Sequence, residues 1–489
     1  MTRPLDKYPR ATIFVDWIAY LLIVLGIGIR FKVYIENRSL FIDEANLARG
    51  LIETSYVGLF GKLPYDQFAP PLFMVHTKLL TEIGHTYEWV LRLIPLMASI
   101  GALFVLWSLL RSIITQPLVR VYGLSLLCFS FMAIRYGTEF KQYSTDTFLA
   151  LIYLWQASRD GGQLWDNKQC LKWAVLGSVG IWYSMPLVFI LSGIGLYFIW
   201  AQKRNNLAAI LVVMMTWLLS FMAYYFMVLN QSIGSDYLEA YFENSFLSLD
   251  LSSDSWRNNF HLLSEIFRTV SDKTAISIGF VFLSFGCGAL HLIRRDKGRA
   301  IRLLLPVGTL LLASALHYYT LVPRLTLFIV PVLILVICIA LDRVWSLNKI
   351  GVNFLLIVLM VLGITNKQGW RYLWMDMEFE EIRPCLAVLD KAYQKDEILY
   401  IDHEAVPAFT FYNTYSEPPF YFDMQQIKGE WDTDLDTLLP TLDQHTAMWL
   451  LFAHATETEI NRNLASLSDY TIETVCHSER VALLKISIE

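Results

Sequence analysis

Residues 207–229, "LAAILVVMMTWLLSFMAYYFMVL", are 23 consecutive positions without a charged side chain. A run of about twenty apolar residues matches the hydrocarbon thickness of a bilayer. In that solvent every backbone N–H and C=O must find its partner inside the segment, so a run this uniformly apolar reads as a membrane-crossing helix. Further segments read the same way near 12–30, 90–111, 119–136, 144–157, 171–184, 186–200, 274–293, 301–319, 324–342 and 350–366. Three of them (144–157, 171–184 and 186–200) are short and read equally as half-spans inside a bundle. The expectation is an α-helical multi-pass membrane protein of about eleven spans. Composition agrees: 17% of residues are charged, against roughly a quarter in soluble domains. The net charge of −5 leaves no basic field to attract nucleic acid.

Sidedness follows from Lys and Arg in the short loops. A cytoplasmic N-terminus places Arg3, Lys7 and Arg10 inside, with Arg159, Lys168, Lys172, Lys203 and Arg204, and the cluster "RRDKGRAIR" at 294–302. The first apolar run has no small-residue cleavage site after it and reads as a retained span. Outside then lie a long first loop (31–89), a second long loop (230–273) and the tail. Residues 1–369 form the membrane domain on this reading, while 370–489 alternate short apolar runs ("EILYI", "AMWLLFA", "VALLKISI") with polar stretches. That pattern predicts a small extracytoplasmic α/β domain. Cys385 and Cys476 are the only cysteines in the tail, and an exterior location leaves a disulfide between them open.

Two polar constellations face outward. The first is "SLFIDEANLARG", residues 39–50, with Asp43 and Glu44 adjacent. Residues 42–54 have helical periodicity: Ala45, Ala48, Leu51 and Ile52 form an apolar stripe, and Asp43, Asn46, Arg49 and Glu53 a polar one. A helix lying on the membrane surface would rest on the first stripe and present the second. Acids in a first helical turn are also favoured by the helix dipole alone. "YDQFAPPLFMVHTKLL" follows, with Asp66, a proline pair that starts a second helix, and His76 on an apolar face where packing explains it more readily than ligation. The second constellation, "FMAIRYGTEFKQYSTDTF" at 131–148, sets Arg135, Tyr136, Glu139, Lys141, Gln142, Tyr143 and Asp146 between two spans. Ionisable groups at membrane depth are costly and need partners or a polar cavity. Pairing of Arg135, Glu139 and Lys141 among themselves at a helix end, with Tyr136 and Tyr143 as interface anchors, accounts for the aromatics but less well for a connection this polar and this short.

"IDEANLARGLI…FAPPLF…K", then "LRLIPL" and "RYGTEFKQYSTD", resembles the GT-C superfamily of integral-membrane glycosyltransferases. The branch in question holds the protein O-mannosyltransferases and the lipid A aminoarabinose transferase. The motifs cover roughly the first 200 residues, and hydropathy with "YYTLVPRLTLFIVPVLIL" extends the likeness to about 345. The resemblance implies inverting transfer of a hexose or pentose from a polyprenyl-phosphate carrier to a protein, lipid or polysaccharide acceptor at the outer face of a bacterial inner membrane. It implies Asp43, with Glu44 beside it, at the reacting centre, and Glu139 as a second acid that holds the acceptor or a metal. Lys141, Arg135 and Arg324 become candidates for the donor phosphate. Tyr143 is a candidate for stacking on a sugar. The family often has a charged or histidine residue before the PPL-like turn, where this chain has "FAPPL"; Asp66 or His76 are the substitutes at hand. No ligand spacing decides for a divalent metal, and no other cofactor is implied. A transporter of lipid-linked sugars would also need cavity charges, but the chain shows no internal repeat of the kind transporters carry. A membrane scaffold would leave the polar 135–146 connection unexplained.

Overall fold

A computed structural model describes residues 10–161, 165–202, 206–232, 240–250, 252–271, 275–365, 369–377, 379–430, 435, 446–464, 467 and 470–487. The chain enters on α1 (Arg10–Ile35), and two helices of the first loop follow, α2 (Ile42–Glu53) and α3 (Pro71–Gly84). The bundle continues with α4 (Leu93–Ile113), α5 (Pro117–Cys128), α6 (Tyr143–Asp160), α7 (Asn167–Tyr183), α8 (Leu187–Gln202) and α9 (Leu207–Tyr224). The second loop carries α10 (Ser253–Arg268), and α11 (Ala275–Arg295), α12 (Lys297–Ala315), α13 (Val330–Trp345) and α14 (Lys349–Thr365) complete the membrane part. Arg3, Lys7, Lys203 and Arg204, used above for sidedness, lie outside the described residues.

The expected count of about eleven spans is not confirmed among the described residues. Among the described residues six helices are long and apolar enough to cross a membrane: 15–35, 93–113, 207–229, 277–295, 297–315 and 327–345. Three shorter apolar helices join them at 117–128, 187–202 and 349–359. The difference lies chiefly in α6 and α7. α6 packs inside the bundle and carries polar groups, so burial by protein rather than lipid contact sets its composition. Its end shows how: Asp160 accepts from Lys172 at 2.7 Å and from the Trp173 indole at 3.1 Å. α4 lies so close to α6 that a Cβ on Gly101 would stand 2.5 Å from the Phe148 ring. That approach brings the start of α6 under the first loop.

The tail folds as α15 (Ile382–Ala392), β1 (Ile398–Ile401), α16 (Val406–Thr414), β2 (Gln425–Lys428), β3 (Ala447–Ala453), β4 (Thr471–Ser478) and β5 (Val481–Ser487). The sheet order is β2-β1-β3-β5-β4, parallel on either side of β1 and antiparallel around β5. The wholly apolar strands β1 and β3 are buried along their length, as the short runs predicted. Cys385 and Cys476 form a disulfide that ties α15 to β4.

The first-loop helix differs from expectation in what covers it. Ala45, Ala48 and Leu51 are fully buried, but under the tail: they share one apolar cluster with Leu386, Phe409 and Tyr412. The stripe that a bilayer surface would have covered is covered by protein. Polar contacts fix the docking. Glu381 accepts from the Ser39 backbone N–H and hydroxyl, the Tyr412 hydroxyl bridges the Leu40 N–H and Glu88, and Arg383 pairs with Glu88 at 3.0 Å.

Candidate active site

The two acids that open α2 point to different surroundings. Glu44 is 1% exposed and its carboxylate is fully used. Arg92, the arginine of "LRLIPL", grips it with two bonds, Nε to Oε1 at 2.9 Å and Nη2 to Oε2 at 2.6 Å. The Phe140 backbone N–H donates to the same carboxylate at 2.5 Å. Arg92 further donates to the carbonyls of Arg38 and Ser39. Three separate segments, the start of α2, the start of α4 and the connection before α6, are locked at this point. The buried two-pronged geometry is the kind that offsets desolvation of both charges.

Asp43 faces the other way, into a cleft, with its side chain 37% exposed. Arg324 reaches across from the segment before α13, its Nη1 3.9 Å from Oδ2. Lys141 is its strongest electrostatic neighbour and, with Arg324, holds the Asp43 carboxyl below the usual carboxylate range. Lys141 is itself buried, which pushes its ammonium down, and it donates to Gln67 Oε1 at 2.9 Å. Arg324 donates to the Tyr241 hydroxyl at 3.2 Å, so the second loop touches the cleft.

Glu139 is buried in a short ion pair, Arg135 Nε to Oε1 at 2.6 Å, and burial pushes its carboxyl up. Its second oxygen, Oε2, is buried without a partner among the described residues. The Arg135 guanidinium lies 5.3 Å from the centre of the Tyr136 ring, and Tyr136 meets Tyr143 edge to face at 4.9 Å. Thus Asp43, Lys141 and Arg324 come together, with Arg135, Glu139 and Tyr143 along the same wall. Asp66 and His76 do not join them. Asp66 pairs loosely with Lys62 at 3.9 Å on an exposed turn. His76 bonds the carbonyl of Leu72 in its own helix and packs on Tyr183. Among the described residues no contact links either to Asp43; the side chain that reaches Lys141 is their neighbour Gln67.

The sequence reading missed the tail's contribution. Phe379 packs on Phe41 at 5.2 Å and under the Arg135 guanidinium at 4.3 Å. The next residue, Glu380, is 3% exposed and hydrogen-bonded to His454, which sits at the end of β3 with a left-handed φ of 62°. That bond raises the His454 pKa, and His454 is an electrostatic neighbour of Asp43. Nothing in the local pattern of "LLFAHATE" separates this histidine from a loop residue. One grouping of potential metal ligands occurs among the described residues, Asp402, His403 and Glu404, whose ligand atoms lie within 4.8 Å of one another after β1.

Fold and cleft together define a polytopic membrane protein whose first loop and appended α/β domain enclose one carboxylate opposed by cations. The fold is similar to that of ArnT from Cupriavidus metallidurans. Its crystal structure in the apo state matches at a TM-score of 0.55 and 13% identity over 98% of both chains. The same protein bound to undecaprenyl phosphate matches at 0.54 and 13% identity, over 97% of this chain and 98% of that one. At this identity the likeness is one of fold. No protein-family model matches the chain, and no curated protein matches it by sequence.

Proposed function

We propose that the chain is an inverting glycosyltransferase that moves a sugar from a polyprenyl-phosphate carrier to an acceptor at the outer face of the membrane. The observation that carries this reading is Asp43, part exposed in a cleft and opposed by Lys141 and Arg324. The ArnT fold supports it, since one ArnT structure holds undecaprenyl phosphate. The Cys385–Cys476 disulfide fits an exterior tail, because such bonds persist in oxidising compartments.

In the reaction the anomeric C1–O bond to phosphate breaks and its electron pair stays on the phosphate oxygen. The acceptor's hydroxyl or amine forms the new bond to C1 from the opposite face, and its proton passes to the Asp43 carboxylate. Lys141 and Arg324 stand where that growing phosphate charge requires cations. The same two cations weaken Asp43 as a base while the cleft is empty. A bound phosphate neutralises them and adds its own negative charge, so the donor itself raises Asp43 toward a useful basicity. Glu44 is the residue next in sequence but not in role: with both oxygens committed, it positions Asp43 and takes no proton.

The test is sugar transfer from labelled polyprenyl-phosphate donors in membranes carrying the wild-type chain or Asp43→Asn. The variant retains size and hydrogen bonding, and transfer is expected to fall by about two to four orders of magnitude at equal protein level. Undiminished transfer by the variant overturns the assignment.

A further inference from the structure

We infer that Gln142, Asp146, Ser184 and Tyr224 form the pocket for the sugar of the donor, and that this sugar carries no anionic group. The inference rests on the donor reading above and names the ligand class of the same site.

The four residues come from the start of one helix, the end of a second and the last α-helical turn of a third. Gln142 and Asp146 stand one turn apart at the start of α6, Ser184 follows the end of α7, and Tyr224 lies where α9 passes into a π-helical turn at 225–229. Trp182 packs edge to face on Tyr224 at 5.3 Å and also touches Phe60, so the group lies beneath the first loop. Ser184 lies beside the Asp146 carboxyl without reaching hydrogen-bond geometry, and Tyr224 is within its electrostatic reach. Tyr143, one turn before Asp146, lies within electrostatic reach of both Asp146 and Asp43, which joins the group to the cleft.

All four side chains are more than nine-tenths buried. Yet Gln142 Oε1, Asp146 Oδ1, the Ser184 hydroxyl and the Tyr224 hydroxyl have no hydrogen-bond partner among the described residues. Buried polar atoms are normally satisfied, and each orphan costs folding free energy. Four such atoms, three of them grouped around Asp146 and the fourth one turn away on the same helix, are partners held ready for something that binds. Hydroxyls and acceptor oxygens together match a ring of sugar hydroxyls, each of which both donates and accepts. No cation pairs with Asp146 among the described residues. An anionic sugar would therefore bring a charge into a buried site whose four lining residues include no cation to pair with it. The cations stay where the phosphate goes, at Lys141 and Arg324.

Binding by the full chain in lipid nanodiscs tests this, with three probes: undecaprenyl phosphate, its mannosyl form and its glucuronosyl form. Wild type is expected to bind the mannosyl probe at least tenfold more tightly than undecaprenyl phosphate, and the glucuronosyl probe no more tightly. Ser184→Ala and Tyr224→Phe are each expected to reduce the mannose gain about fivefold, one lost hydrogen bond, while undecaprenyl phosphate binds unchanged. Both variants are also expected to melt at or above the wild-type temperature, since each removes a hydroxyl that has no partner in the free protein. A mannose gain that survives in both variants, a preference for the glucuronosyl probe, or a lower melting temperature overturns the pocket and leaves the donor reading standing. Failure of wild type to bind undecaprenyl phosphate at all overturns both.

Discussion

Glu44→Gln is the perturbation that separates the two acids. In the wild type Arg92 is 2% exposed, and both Glu44 oxygens receive its guanidinium. Glutamine retains the volume and one acceptor for the Phe140 N–H, but it leaves the Arg92 charge buried and uncompensated. Removing one partner of a buried pair costs about 3–5 kcal/mol. The carbonyls of Arg38 and Ser39 still accept from Arg92, so the low end, about 3 kcal/mol or roughly a hundredfold in the docking equilibrium, is expected. Arg92→Met is expected to cost more, because it buries the Glu44 charge and frees two carbonyls. The double variant Glu44→Gln/Arg92→Met removes both charges and is expected to cost clearly less than the two singles added together. The assay is the melting temperature of the detergent-solubilised chain at one fixed scan rate, with limited proteolysis of the first loop alongside. Glu44→Gln is expected to melt several degrees low and to expose the loop, while Asp43→Asn, which removes a part-exposed carboxylate, is expected to lose clearly less. A Glu44→Gln protein as stable as the wild type, or strict additivity in the double variant, refutes the assignment of Glu44 as the latch.

Two other outcomes are expected from the tail. Replacing Cys385 and Cys476 with serine removes a link across 91 residues and is expected to cost about 2–4 kcal/mol, seen as protease sensitivity of the tail with the membrane helices intact. The His454 bond to Glu380 raises the histidine pKa, so its stabilisation is fully present below the unfolded value of about 6.5 and fades as pH rises through the folded one. His454→Gln is accordingly expected to melt below wild type at pH 5.5, with the gap closing as the pH is taken toward about 9; a gap that widens with pH contradicts this sign.

Much was legible in the chain because it follows from local rules. Apolar runs read as helices because lipid offers the backbone no partner, and six of the expected segments meet that condition of length and composition. The tail's strands were legible as short apolar runs between turns, and β1 and β3 are buried where those runs fall. α6 was less legible. Its composition reflects protein neighbours more than lipid, and a residue such as Asp160 is intelligible only once Lys172 and Trp173 are beside it.

The sequence by itself determined which residue types gather: an acidic pair after the first span, and a cationic and aromatic connection before α6. Tertiary structure alone decided their roles. Asp43 and Glu44 are adjacent and chemically alike, yet successive residues on a helix point about 100° apart. One therefore meets Arg92 and a backbone N–H, and the other meets Lys141 and Arg324 across an open cleft. The reach of Glu380 and His454 to the same cleft, 337 residues beyond Asp43 for the first of them by position number, was set by the docking of the tail on α2. Long-range contacts of that kind carry no periodicity along the chain, because they are fixed by which surfaces fit once both parts have folded.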